Sequence, residues 1–156
     1  MKLNKIAIVS AAILVTLLIG IFAFNALAPA KDLKLKVKWR PVTYTLGNPV
    51  PPTWNAEIFF APVRNLNEID TSTLRLEGIY PPSGTPTILS TSPPRMRVPF
   101  DGNDVLRALL GKVSHMAPGT YQIFLEITGN LKPEYGGTAF SGSGGINLVV
   151  PDVSPP

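Results

Sequence analysis

The chain has 156 residues, with 14 Lys and Arg against 10 Asp and Glu, one His and no Cys. Without cysteine there is no disulfide framework, no thiol nucleophile and no thiolate metal site. Setting aside Lys2 and Lys5, 12 basic residues stand against 10 acidic ones. That surplus of +2 is dispersed rather than clustered among stacking aromatics, so no nucleic-acid partner is expected.

Ile6 to Phe24 run for nineteen residues without a charge, just after Lys2 and Lys5. At about 1.5 Å per residue, a helix of that length reaches roughly 28 Å, close to the hydrocarbon thickness of a bilayer. A cleaved secretory leader has a shorter apolar region, about 7–15 residues. Ala26-Leu27-Ala28 offers a cleavage pattern, but Pro29 is a poor residue to follow a cut. Residues 1–30 are therefore read as an uncleaved signal anchor that crosses the bilayer once, with Ile6, Leu14, Leu18 and Phe24 among its apolar positions. A cleaved signal is the alternative. Lys2 and Lys5 favour a cytoplasmic N-terminus, whereas Lys31, Lys34, Lys36, Lys38 and Arg40 weigh the other way. The later cations have a second explanation as the wet face of a strand. The domain is accordingly expected on the extracytoplasmic side of the cytoplasmic membrane, or secreted if the leader is removed.

About 125 residues follow, enough for one domain with its own core. Leu33, Leu35, Val37 and Trp39 alternate with Lys34, Lys36, Lys38 and Arg40, the period of a strand with one buried and one solvated face. Lysine on such a strand solubilises it and discourages edge pairing. Contact with anionic lipid or an acidic wall polymer is the functional alternative for Lys34, Lys36, Lys38 and Arg40. Val42 to Leu46 extend this strand or begin another, before Gly47-Asn48-Pro49 and Pro51-Pro52 break it. Trp54, Ala56, Ile58 and Phe60 mark a second strand, and Leu74 and Leu76 a third. Tyr80 to Pro94 reads as a long loop, with a short strand at Thr87 to Leu89. Met96, Val98 and Phe100 alternate with arginines in a further strand. Asp101 or Asn103 then caps a short helix carrying Val105, Leu106, Leu109 and Leu110, stopped by Gly111. Tyr121, Ile123, Leu125 and Ile127 predict a central strand. Thr138 to Phe140 and Ile146 to Val150 are predicted as the last two strands, paired through a bend at Gly142, Gly144 and Gly145. Residues 31–150 thus predict an all-β fold, an antiparallel immunoglobulin-like β-sandwich with one short helix, behind a single transmembrane helix. Pro151 to Pro156 reads as a disordered tail.

Constellations for chemistry are thin. His115 stands alone before Pro118-Gly119, without the partners of a triad or of a histidine metal site. Asp101, Asn103 and Asp104 are weak metal candidates. They open like a calcium loop, but Val105 occupies the next oxygen position and no acidic residue closes the loop, so helix capping explains them more simply. Glu68 and Asp70 could pair as a glycosidase acid and base, although turn chemistry suits them better. Gly142 to Gly145 lacks the lysine and helix of a phosphate loop. Trp39 and Trp54 could offer a sugar platform but fall on the apolar strand faces. No catalytic residue and no cofactor is expected.

The run Ile69-Asp70-Thr71-Ser72-Thr73-Leu74-Arg75-Leu76-Glu77-Gly78 is followed by Met96-Arg97-Val98-Pro99-Phe100-Asp101. Val105 to Leu110, Ile127-Thr128-Gly129-Asn130-Leu131 and Gly137-Thr138-Ala139-Phe140-Ser141-Gly142 come after it. This order resembles a small all-β module that recurs in bacterial and archaeal exported proteins, often beside dockerins or peptidases. The resemblance covers Trp54 to Val150 and implies a structural or accessory domain without catalytic residues to carry over. The chain departs from that pattern at Ser83 to Pro94, where an acidic stretch is usual, and at Gly102, where a basic residue is usual. The expected function is a non-enzymatic, membrane-anchored β-sandwich with a structural, adhesion or display role. Its partners would be the lipid bilayer and an envelope protein or polysaccharide. A carbohydrate- or envelope-binding module and an accessory domain of a secreted hydrolase are the alternatives, the former requiring an exposed patch of Trp54, Phe59, Tyr80 or Phe124.

Overall fold

The structure, a computed structural model, describes residues 33–60, 65–113 and 116–152. The leader with Ile6, Leu14, Leu18 and Phe24, together with His115 and the tail beyond Asp152, lies outside the described residues. The chain divides into residues 1–31 and residues 32–156, and the description concerns the second unit.

Among the described residues, eight strands form two sheets. They are β1 (Leu33–Arg40), β2 (Thr43–Thr45), β3 (Thr53–Phe60), β4 (Ile69–Leu76), β5 (Thr87–Thr91), β6 (Pro94–Asp101), β7 (Gly119–Leu131) and β8 (Ala139–Val150). Helix α1 (Gly102–Gly111) connects β6 to β7. The first sheet runs β1-β3-β6-β5 and the second β4-β7-β8, with β2 parallel to β8. Strand β1 belongs to both. Leu33 and Lys34 pair in parallel with Phe140 and Ser141 of β8, after which Leu35 to Arg40 pair antiparallel with Phe60 to Asn55 of β3. Pro41, which has no N–H to give a ladder, follows β1, and β2 then returns the chain to β8.

The apolar positions of the period-two runs face one another across the sandwich. Leu35, Val37 and Trp39 of β1, Trp54, Ala56 and Ile58 of β3, and Met96, Val98 and Phe100 of β6 are buried against Ile123, Leu125, Ile127, Ile146 and Leu148. Trp39 packs on Phe100 with ring centroids 5.9 Å apart, and Phe60 meets Phe140 edge to face at 5.3 Å. The helix adds Val105, Ala108 and Leu109 to this core.

Its start is defined by Asp101, whose Oδ1 accepts from the backbone N–H of Asn103 at 2.8 Å and of Asp104 at 3.4 Å. Asp101→Ala is expected to lower stability by about 1 kcal/mol, the usual worth of such a cap. A urea unfolding midpoint checks this, and Asp101→Asn should recover most of the loss.

The last two predicted strands require a correction. Residues 139–150 form one continuous strand, paired with β7 from Asn130↔Ala139 to Gly119↔Val150. Gly142 and Gly144 do not turn the chain. They let β8 approach β1, because a Cβ on either would stand 2.5 Å from the carbonyl oxygen of Leu35 or Val37. The proline-rich segment behaves nearly as expected, its strand reaching Thr91 rather than Leu89.

Candidate functional site

On the outer face of the β1-β3-β6-β5 sheet, alternation turns Lys36, Lys38 and Arg40 of β1 and Arg97 of β6 to solvent, with Arg95 half-exposed. Between these two strands lies β3, whose Glu57 pairs in register with Lys38 on one side and Arg97 on the other. The Glu57 side chain is only 4 % exposed. Its Oε1 accepts a hydrogen bond from Nε of Arg40 at 2.9 Å, Arg97 Nη2 stands 3.9 Å from the same oxygen, and Arg95 Nη1 is 3.8 Å from Oε2. Three arginines thus converge on one buried carboxylate while their own side chains stay 39–62 % exposed.

The electrostatic result is asymmetric. Five described cations occupy this face beside Glu57, which the arginines already engage, and Asp101 at the end of β6, whose carboxylate is taken up in capping α1. Lys34 is placed in β1, paired with Ser141. Where β1 leaves β8 for β3, an open groove of about 470 Å³ is lined by Leu35, Lys36, Val37, Lys38, Phe59 and Ser143. The half-exposed Phe59 ring sits across from Lys36 in the ladder. The opposite sheet carries charges of both signs among neutral side chains: Glu126 of β7 and Arg75 and Asp70 of β4 share its outer phase with Gln122, Ser141, Ser143, Asn147 and Phe124, which is 55 % exposed.

The other candidate residues serve local roles. Asp101 caps α1, Asp104 pairs with Arg107 one turn on at 3.2 Å, and Asn103 is exposed. Asp70 Oδ1 accepts from the backbone N–H and the hydroxyl of Ser72, holding the entry to β4. Glu68 and Asp70 lie where β3 crosses over to β4, while Asp104 follows the end of β6, which pairs with the start of β3. These carboxylates therefore sit at opposite ends of the sandwich and do not converge. Among the described residues, no group of three or more His, Asp or Glu side chains is placed to hold a metal ion. Trp39 and Trp54 are core residues, at 1 % and 0 % exposure.

Sequence reasoning separated what the sheet joins. Arg95 and Arg97 are remote from Lys36 in the chain, and Glu57 reads as an ordinary polar position of β3. The usable signal was the repeated Arg-x-Arg on one strand and Lys-x-Lys-x-Arg on another, each on the solvated phase of its alternation. Among the described residues, no helix is long and apolar enough to cross a membrane. No family model, curated protein or solved structure gives a significant match to this chain.

Proposed function

We propose that this chain is a non-enzymatic β-sandwich of immunoglobulin-like type, held at the extracytoplasmic side of the membrane by its leader, where it serves a structural, adhesion or display role. The observation carrying this reading is the strand order. Taking β1, β3, β4, β5, β6, β7 and β8 as successive strands A to G, the sheets are A-B-E-D and C-F-G, the division of a constant-type immunoglobulin domain. Tyr121 adds to it. It stands near the start of the sixth of those strands, and its hydroxyl donates to the carbonyl of Ala117, four residues upstream, at 2.8 Å. This is the arrangement of a tyrosine corner, with Ile123 in the place where antibody domains carry a cysteine.

The non-enzymatic part rests on the dispersal of Glu68, Asp70 and Asp104 into caps and turns. The membrane part rests on the uncharged run from Ile6 to Phe24, and the resemblance to exported modules agrees with it. A second reading, a carbohydrate- or envelope-binding module, is favoured by Phe124, an exposed ring flanked on its strand face by the amide of Gln122 and the carboxylate of Glu126. Trp54 takes no part in it, being wholly buried.

The test is membrane fractionation of cells making the full chain, with mass spectrometry of its N-terminus. An intact leader in the membrane fraction, resistant to salt extraction, is expected. A soluble chain starting between Pro29 and Lys31 would reject the anchor.

A further inference from the structure

We propose that the outer face of the β1-β3-β6-β5 sheet is a docking surface for an anionic phospholipid bilayer. The inference extends the proposed anchored reading, since it supplies a second membrane contact next to the strand that the leader feeds.

Charge segregation is the first argument. The face carries Lys36, Lys38, Arg40, Arg95 and Arg97 against Glu57 and, at the far end of β6, the helix-capping Asp101, although the whole sequence after position 30 is nearly balanced. Glu57 does not cancel this excess toward solvent. It is covered, and it holds three guanidinium groups together on a face where they would otherwise repel one another. The second argument is shape. Cations recur along β1 at every second residue, roughly 6.7 Å apart, and again on β6, two strand spacings or about 9.6 Å away. They form a two-dimensional array on a sheet, which matches a plane of phosphate groups better than a single linear polymer. The third is apolar footing. Phe59 lies half-exposed in the groove between Lys36, Lys38 and Ser143, so a ring and lysine stems can enter the headgroup region while the ammonium groups meet phosphate.

Reach is not limiting. From Phe24 to Leu33 the chain can extend about 30 Å at most, so a bilayer-held leader keeps this face within a few nanometres of headgroups. Docking through this sheet would turn the opposite one, with Phe124, away from the membrane.

The experiment uses residues 32–156, whose core is contained within that unit, in sedimentation with vesicles of phosphatidylcholine alone or mixed with phosphatidylglycerol. Binding to the anionic vesicles at low salt is expected, with release at high salt as the charges are screened. Lys36→Gln/Lys38→Gln/Arg97→Gln should bind on the order of 100-fold more weakly, and Lys36→Gln/Lys38→Gln alone about 30-fold. Lys36→Arg/Lys38→Arg should bind like the parent, as should Phe124→Ala on the other face. Equal binding by the parent and the charge-removed variants, judged on proteins with the parent's circular dichroism and melting, would overturn the proposal. So would indifference of the parent to phosphatidylglycerol, or binding to soluble polygalacturonate without binding to vesicles. Because this unit lacks the leader, these results are independent of the fractionation that tests the anchor.

Discussion

Trp54→Ala is expected to cost the domain about 4 kcal/mol, near the upper end for deleting a buried aromatic side chain. The indole is fully buried at the beginning of β3. Its Nε1 donates to the carbonyl of Pro41 at 2.8 Å, and Tyr44 of β2 meets its ring edge-on with centroids 5.4 Å apart. One side chain therefore fastens the segment in which the chain leaves β1 and joins β8 as β2. Deleting it opens a cavity and orphans a carbonyl where the two sheets meet. For a domain of this size, the loss corresponds to a melting temperature lower by about 12–20 °C. Trp54→Phe keeps most of the ring contact and loses the hydrogen bond, so about 1–2 kcal/mol is expected. Urea unfolding of the three proteins checks this. If the alanine variant fell within about 1 kcal/mol of the parent, the error of such a comparison, the β1–β2 corner would not depend on Trp54.

The second large effect is expected at β8. Gly144→Ala would place a methyl group 2.5 Å from the Val37 carbonyl oxygen and 3.0 Å from Cδ1 of the buried Trp39. Neither neighbour is the end of a flexible side chain, so backbone must move and β1 must separate from β8. A loss of about 3 kcal/mol is expected, in the upper range of overpacking. The adjacent Gly145 gives the contrast. Its added methyl would meet Gln122 Nε2 at 3.3 Å and Phe124 Cε1 at 3.5 Å on the solvated side. Those side chains can turn away, so Gly145→Ala should change stability by no more than about 0.5 kcal/mol. Thermal melts of the two neighbouring variants test the assignment of inner and outer faces on β8 directly.

Where side chains alternate, the architecture was readable in advance. Leu33 to Arg40 and Tyr121 to Ile127 announce their buried faces by period alone, and a capping residue at Asp101 or Asn103 announces the helix, the structure selecting Asp101. The same signal fails in β8 because its contact positions, Gly142 and Gly144, have no side chains to show a period. Glycine there marks proximity of another backbone rather than a turn, and only the register with β1 reveals which. The division of β1 between two sheets is illegible for a related reason. Its inward residues stay apolar throughout, and what changes at Leu35 is the hydrogen-bonding partner. The candidate site was half legible. The β1 cations were visible as a stripe, but their grouping with Arg95 and Arg97 depends on Glu57 lying opposite both Lys38 and Arg97 across the sheet, a long-range pairing that local sequence does not encode.

The shared first strand has a mechanical consequence. In β1 and β2 the chain runs parallel to β8, joined by Leu33↔Phe140, Lys34↔Ser141 and the three pairs from Thr43↔Asn147 to Thr45↔Val149. Tension applied at Leu33 and at Val150 pulls these strands in opposite directions along their own lengths. Hydrogen bonds lying across the strands are then loaded together in shear rather than opened one after another. A domain pulled between its first and last strands, as one tethered at a surface would be, meets that load with its parallel ladder intact until several bonds fail at once.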